Sequence, residues 1–155
     1  MRFTLIKDLK KDDSMRVVLL GLLVFIFFYL ISDMFVKYNS FGISASMVEL
    51  TLFGDEEEFL DPITQASFLE FIHTEIFFIM MILLTLSAVF IRLATRSKIN
   101  IFLVNLTMIS ALVSLISLAF SFYISSFFIN FYIVTFFMWH ILSFYMSLYS
   151  LWQLK

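Results

Sequence analysis

Five ionisable residues fall in or beside long apolar stretches of this 155-residue sequence: Asp33, Glu70, His73, Glu75 and His140. Charge is costly in such surroundings, so these are the first candidates for chemistry. Glu70 and His73 stand three residues apart, on one face of a helix. With Asp33 or Glu75 they make a donor set of two carboxylates and one imidazole, suited to a divalent metal such as Zn, Mn or Fe. Two histidines in a membrane bundle also suggest bis-imidazole ligation of haem b. Glu75 and His140 together suggest a proton relay, as in a proton-coupled channel or transporter component.

Each reading meets a plainer one. Glu-x-x-His is the ligand element of di-iron bundles, but there it occurs twice and here once. Haem iron needs both imidazoles at one depth, with bonds of about 2 Å. His140 lies midway between Phe128 and Trp152, near the middle of its span, while His73 is 19 residues from Arg92 and near a boundary. That separates the two rings by roughly 10 Å along the membrane normal, which disfavours a haem within one chain. Met80 and Met81 near His73 would suit copper, but nine methionines in apolar spans read as packing residues. In the plain reading Asp33 is reached by water at the outer end of its span. Glu70 and Glu75 then lie in interfacial water, and His140 bonds to a hydroxyl on a neighbouring helix.

The elements that must position these groups follow from composition. The chain is 62% hydrophobic and 14% charged, with 22 Phe, three Gly and one Pro. A soluble domain is nearer 25% charged, so a soluble globule, a disordered chain and a Gly/Pro-rich fibre are excluded. The absence of Cys removes disulfides and thiolate sites, and a net charge of −2 gives no sign of nucleic-acid binding. No phosphate loop, nucleophile elbow or H-E-x-x-H motif is present, which argues against familiar enzyme chemistry.

A spanning helix needs about 20 apolar residues. Spans are expected at about 17–36, 69–91, 100–124 and 128–152, within a single transmembrane domain, with an outer loop over 37–68. The last two come from one uncharged run, Ile99 to Leu154. As a single helix it would be roughly 84 Å long, so it must fold back, with the turn expected at Ser125-Ser126. The expected fold is an all-α integral membrane protein, a four-helix transmembrane bundle. Arg2, Lys7, Lys10, Lys11 and Arg16 precede the first span, Arg92, Arg96 and Lys98 follow the second, and Lys155 ends the chain. The 37–68 loop carries Glu49, Asp55, Glu56, Glu57, Glu58 and Asp61 against Lys37. The positive-inside rule then puts both termini in the cytoplasm and the acidic loop outside, in what is expected to be a bacterial inner membrane. Three Asp near the start and a long apolar run argue against a cleaved signal peptide.

Within the loop, Ile43–Phe53 suits an interfacial helix or a short strand. Asp61-Pro62 predicts the start of the second long helix. The acidic run lacks the alternating ligands of a calcium loop and reads as a solvated surface. Span three carries Thr107, Ser110, Ser114, Ser117 and Ser121 at intervals of 3, 4, 3 and 4, a seam of small hydroxyl residues. Span four places Phe136, His140, Ser143, Ser147 and Ser150 on one face, so the two seams are expected to face the bundle interior. The leading functional expectation is an accessory or structural subunit of a larger membrane assembly, in contact with lipid and with other subunits or its own copies. The alternatives are a haem b or divalent-metal protein and a proton-coupled component.

Overall fold

The computed structural model describes residues 13–56, 59–94 and 97–154. Arg2, Lys7, Lys10, Lys11, Glu57, Glu58, Arg96 and Lys155, used above for orientation, lie outside the described residues. Five helices follow in order: α1 (Asp13–Ser40), α2 (Ala45–Phe53), α3 (Gln65–Leu93), α4 (Lys98–Tyr123) and α5 (Phe128–Gln153). Four of them are long and apolar enough to cross a membrane, and α2 is a nine-residue helix between the first two spans. The protein is an integral membrane helical bundle.

One rhythm explains how the spans pack. The buried positions of α1 are Leu23, Ile26, Leu30, Asp33 and Lys37, spaced 3, 4, 3 and 4. In α4, Val104, Thr107, Ala111, Ser114, Leu118 and Ser121 repeat that spacing, and in α5 so do Ile129, Tyr132, Phe136, Trp139, Ser143, Met146 and Ser150. An alternating 3–4 repeat keeps one seam of each helix turned toward its neighbours, as in left-handed bundles. The hydroxyl residues of the α4 and α5 seams, Thr107, Ser110, Ser114, Ser117, Ser121, Ser143, Ser147 and Ser150, are all buried. Their small side chains let α4 and α5 approach closely, and this pair makes the most extensive packing in the molecule. The turn between them falls at Ile124–Phe127. Every other helix also packs on α5, which is therefore the centre of the bundle.

The ends are tied by specific bonds. Arg16 Nε donates to the Leu154 carbonyl at 2.7 Å, joining the start of α1 to the end of α5. At the opposite end, the Ser44 hydroxyl caps α2 by accepting from Met47 N, and Gly54 ends it at φ 74°, ψ −177°. Within the stretch 43–53, residues 45–53 are thus helical. This helix packs on α5 through a buried face that includes Val48 and Leu52.

The start of α3 corrects the sequence expectation. The helix begins at Gln65 behind Thr64, whose hydroxyl accepts from Ser67 N, and not at Asp61-Pro62. The reason is a competing use of the backbone. Asp55 and Leu60 exchange two 2.9 Å bonds in an isolated antiparallel bridge, and Ile63 N donates to Thr51 O at 3.1 Å. Pro62 sits inside this link to α2 and so cannot open a helix.

Candidate functional site

The 3–4 seam of α1 carries two charged residues inward. Asp33 and Lys37 are one turn apart, and their side chains are 8% and 3% exposed. Lys37 Nζ lies 3.4 Å from Asp33 Oδ1 and 2.5 Å from Glu75 Oε2 of α3, a side chain only 13% exposed. On the other side of Asp33, its Oδ2 is 2.9 Å from Nε2 of His140 in α5, which is 1% exposed. Three helices therefore meet in one chain of contacts, His140–Asp33–Lys37–Glu75.

The hydrogen bonds constrain the protons. His140 Nδ1 is 3.0 Å from the Phe136 carbonyl, which can only accept, so Nδ1 carries a hydrogen. Nε2 and Asp33 Oδ2 then share one proton in their 2.9 Å bond. Wherever that proton rests, the Asp33–His140 pair is neutral as a unit, and Lys37 neutralises Glu75. Burial of four ionisable groups is tolerable because they cancel in pairs; an unpaired charge at a helix centre would cost about 2.5–3.5 kcal/mol or more.

Aromatic rings close the cluster on the side of α2. The Lys37 ammonium sits 5.3 Å from the Phe71 ring centroid and 5.8 Å from that of Phe136, within cation–π range. Phe41 stacks on Phe71 at 4.7 Å with its plane 5° away, and Tyr132 meets Phe41 edge-on. On α5, Trp139 lies against His140 with ring centroids 3.7 Å apart.

Depth follows from position along the helices. Asp33 is seven residues from Ser40, Glu75 ten from Gln65, and His140 twelve from Phe128. At a rise of about 1.5 Å per residue, the cluster lies roughly 10–18 Å below the helix ends nearest α2.

The sequence candidates thus divide. Asp33, Glu75 and His140 come together, whereas Glu70 and His73 are exposed on the outside of α3. Two expectations are corrected. Asp33 is buried instead of open to water, because α1 runs on to Ser40 and carries it two turns inside the helix end. Glu75 is mostly enclosed, its side chain 13% exposed, rather than open to interfacial water, because it turns inward to meet Lys37. The expected hydroxyl partner of His140 is instead the Asp33 carboxylate.

Lys37 is the residue that sequence reasoning missed; it passed for the marker of a span end. Its signal was the i, i+4 spacing to Asp33 on the 23, 26, 30, 33, 37 seam. Between the carboxylates of Asp33 and Glu75 this ammonium takes the position a bound cation would need. Among the described residues, no group of three or more His, Cys, Asp or Glu is arranged to hold a metal ion. Iron ligation by His140 would have to displace either Asp33 or the Phe136 carbonyl.

No curated protein and no solved structure matches this chain. A family model for a transmembrane helical domain does match, over residues 42–155. The match takes in α2 to α5, with Glu75 and His140, while Asp33 and Lys37 are contributed from the helix before it. By that match, over well more than half its length, the chain belongs to the Aq_1264_TM family of transmembrane helical domains.

Proposed function

We propose that this protein is a small subunit of a larger membrane assembly, and that its own contribution is to exchange a proton at the Asp33–His140 pair. The observation that carries this is the buried His140–Asp33–Lys37–Glu75 chain. A core seam needs only apolar side chains to hold helices together, and buried ion pairs are poor value for stability alone. A carboxylate and an imidazole sharing one proton, beside a second charge pair, form a unit that can lose or gain a proton without moving a helix.

The subunit role is supported by how the side chains are distributed. The ionisable groups deepest in the spans, Asp33, Lys37, Glu75 and His140, turn toward one another, and outward positions at mid-span are apolar, among them Phe25, Phe28, Leu84, Ile109 and Leu112. Contacts with other subunits would therefore form in the plane of the bilayer. Basic Arg16, Arg92 and Lys98 at one end, and acidic Asp55, Glu56 and Asp61 at the other, favour cytoplasmic termini in a bacterial inner membrane.

The test uses the assembly purified from native membranes and reconstituted in vesicles containing a pH-sensitive dye. Asp33→Asn and His140→Gln should each lower proton flux by about a hundredfold or more, the low end expected for a lost proton-transfer group. Unchanged flux in both variants overturns the proton role, and purification as a single species with full flux overturns the subunit role.

A further inference from the structure

The cluster lies nearer the α2 end of the bundle, but that direction is closed by Phe41, Phe71, Tyr132 and Phe136. The other direction is polar. Ser143, Ser147 and Ser150 continue the face of α5 that bears His140, and each is fully buried. Among the described residues, all three hydroxyls lack a hydrogen-bond partner. This is unusual even within this bundle. Thr107, Ser110 and Ser121 of α4 each donate to a carbonyl of their own helix, as hydroxyls in membrane helices commonly do.

A second helix supplies an independent observation. Ser87 of α3 is buried and its hydroxyl is also without a partner. It stands six residues from the end of α3 at Leu93, and Ser147 stands six residues from the end of α5 at Gln153. Both helices end on the side of the chain termini, so the two hydroxyls share a depth of roughly 9 Å from that end. A buried hydroxyl left unpaired costs about 1–3 kcal/mol. Four of them in one half of the bundle call for a polar guest, and water is the one small enough. Successive serines on α5 are about 4.5–6 Å apart along the axis, too far for direct bonds and right for one bridging water.

We propose that the hydroxyls of Ser143, Ser147 and Ser150, with that of Ser87 at the depth of Ser147, form a water-bridged proton path joining His140 to the terminal side of the membrane. This rests on the proton-exchange reading above and adds its direction. The transfer is a simple release and return. The Asp33–His140 pair gives up its shared proton to the bridged file, which passes it to water beyond Ser150, and the cluster goes from neutral to a charge of −1. Uptake reverses this. Asp33, Lys37 and Tyr29 of α1, Glu75 of α3 and Tyr132 of α5 are the titratable groups around the pair. Between Lys98 and Tyr123, α4 offers only hydroxyl and apolar or amide side chains.

Trp139 gives the test a built-in reporter: its ring centroid is 3.7 Å from that of His140, with the planes tilted by 38°, and an imidazolium in such contact quenches indole emission where a neutral imidazole does so far less. Trp152→Phe leaves Trp139 as the sole tryptophan. This variant is reconstituted in vesicles, with orientation scored by a protease-cleavable tag on the N-terminus, and pH is jumped on one side at a time. Emission should respond faster to a jump on the terminal side than to one on the α2 side. Ser143→Ala/Ser147→Ala/Ser150→Ala, which removes hydroxyls that hold no bond, should fold. It should keep the amplitude but slow the terminal-side response by about tenfold, a barrier of ~1.4 kcal/mol.

A faster response from the α2 side, or an unslowed triple variant, overturns the path and leaves the exchange site standing. If Trp139 emission and the protonated-carboxyl C=O stretch of Asp33, read by infrared difference against Asp33→Asn, both stay constant from about pH 4 to about pH 10, spanning carboxylate, imidazole and lysine titration, the exchange site itself is overturned. Circular dichroism and an unchanged elution volume establish that the variants are folded, so each result bears on one claim or the other.

Discussion

Lys37 reaches carboxylates on two helices and lies within range of two aromatic rings, so removing it strands charge in a low-dielectric interior. Lys37→Met should destabilise the bundle by about 3–5 kcal/mol, the usual cost of breaking a buried pair from one side. Adding Glu75→Gln should recover most of that loss, because the second variant removes the charge the first one abandoned. Unfolding titrations of the single and double variants in mixed micelles measure both values, and a double variant no more stable than the single would show that Glu75 does not depend on Lys37. The Asp33–His140 pair behaves differently, since one proton is shared across it. Asp33→Asn keeps a partner for His140, its side-chain amide N–H donating to the unprotonated Nε2, and should cost clearly less stability than Asp33→Ala, which leaves Nε2 with no partner. Thermal melts in detergent rank the two. Equal melting temperatures would mean that the 2.9 Å bond to His140 carries little of the stability at Asp33.

Between α4 and α5 it is side-chain size, not charge, that sets the approach. Ser110 and Ser143 are on opposite sides of this interface, and both are buried. Ser110→Leu should separate the helices and cost about 1–3 kcal/mol through overpacking, whereas Ser126→Leu, at the exposed turn, should be nearly neutral; melting temperatures distinguish them. The connection from α2 to α3 depends on backbone instead. Gly54 occupies a conformation nearly reserved for glycine, and a Cβ there would collide with the Leu60 carbonyl and the Pro62 ring. Gly54→Ala should therefore cost about 1–3 kcal/mol of strain and speed amide exchange across 51–63. Much of this level was legible beforehand. The apolar runs implied four spans, the serine spacing implied the α4 and α5 seams, and Ser125-Ser126 implied the turn. The same 3–4 spacing in α1 was overlooked because its last two members are Asp33 and Lys37, and charge at a span end reads as an interface marker. Only the partners on α3 and α5 make an inward position for them tolerable, and a partner forty or a hundred residues away leaves no local trace. The start of α3 was misplaced for a similar reason: Asp61-Pro62 is a sound helix signal until the bond from Ile63 to Thr51 claims the backbone.

The molecule divides unequally at residue 42, between the first helix and the part that the family model matches. The family match begins at residue 42, after α1, yet α1 carries Asp33 and Lys37, which neutralise groups on α3 and α5. Residues 42–155 by themselves would hold Glu75 and His140 in the interior with no counter-charge, and would expose the α5 and α3 surfaces that α1 covers. Such a fragment should insert in the membrane, since its three spans are apolar enough, but it should lack a stable fold. Two unpaired buried groups at about 3–5 kcal/mol for a broken pair consume much of the ~5–15 kcal/mol that holds a typical domain together. Supplying residues 1–41 as a separate chain should restore it, because the α1 seam brings both the apolar ridge of Leu23, Ile26 and Leu30 and the two charges. The same helix carrying Asp33→Ala and Lys37→Ala should bind poorly although its ridge is intact. Co-expression followed by purification on a tag placed on the first fragment reads this directly, with protease resistance of the second fragment as the measure of folding. Recovery by the charge-deleted helix equal to that of the native one would mean that packing alone joins α1 to the bundle. Recovery by the native helix alone would mean that the buried charges specify how the bundle is completed, a role compatible with proton exchange at the same residues.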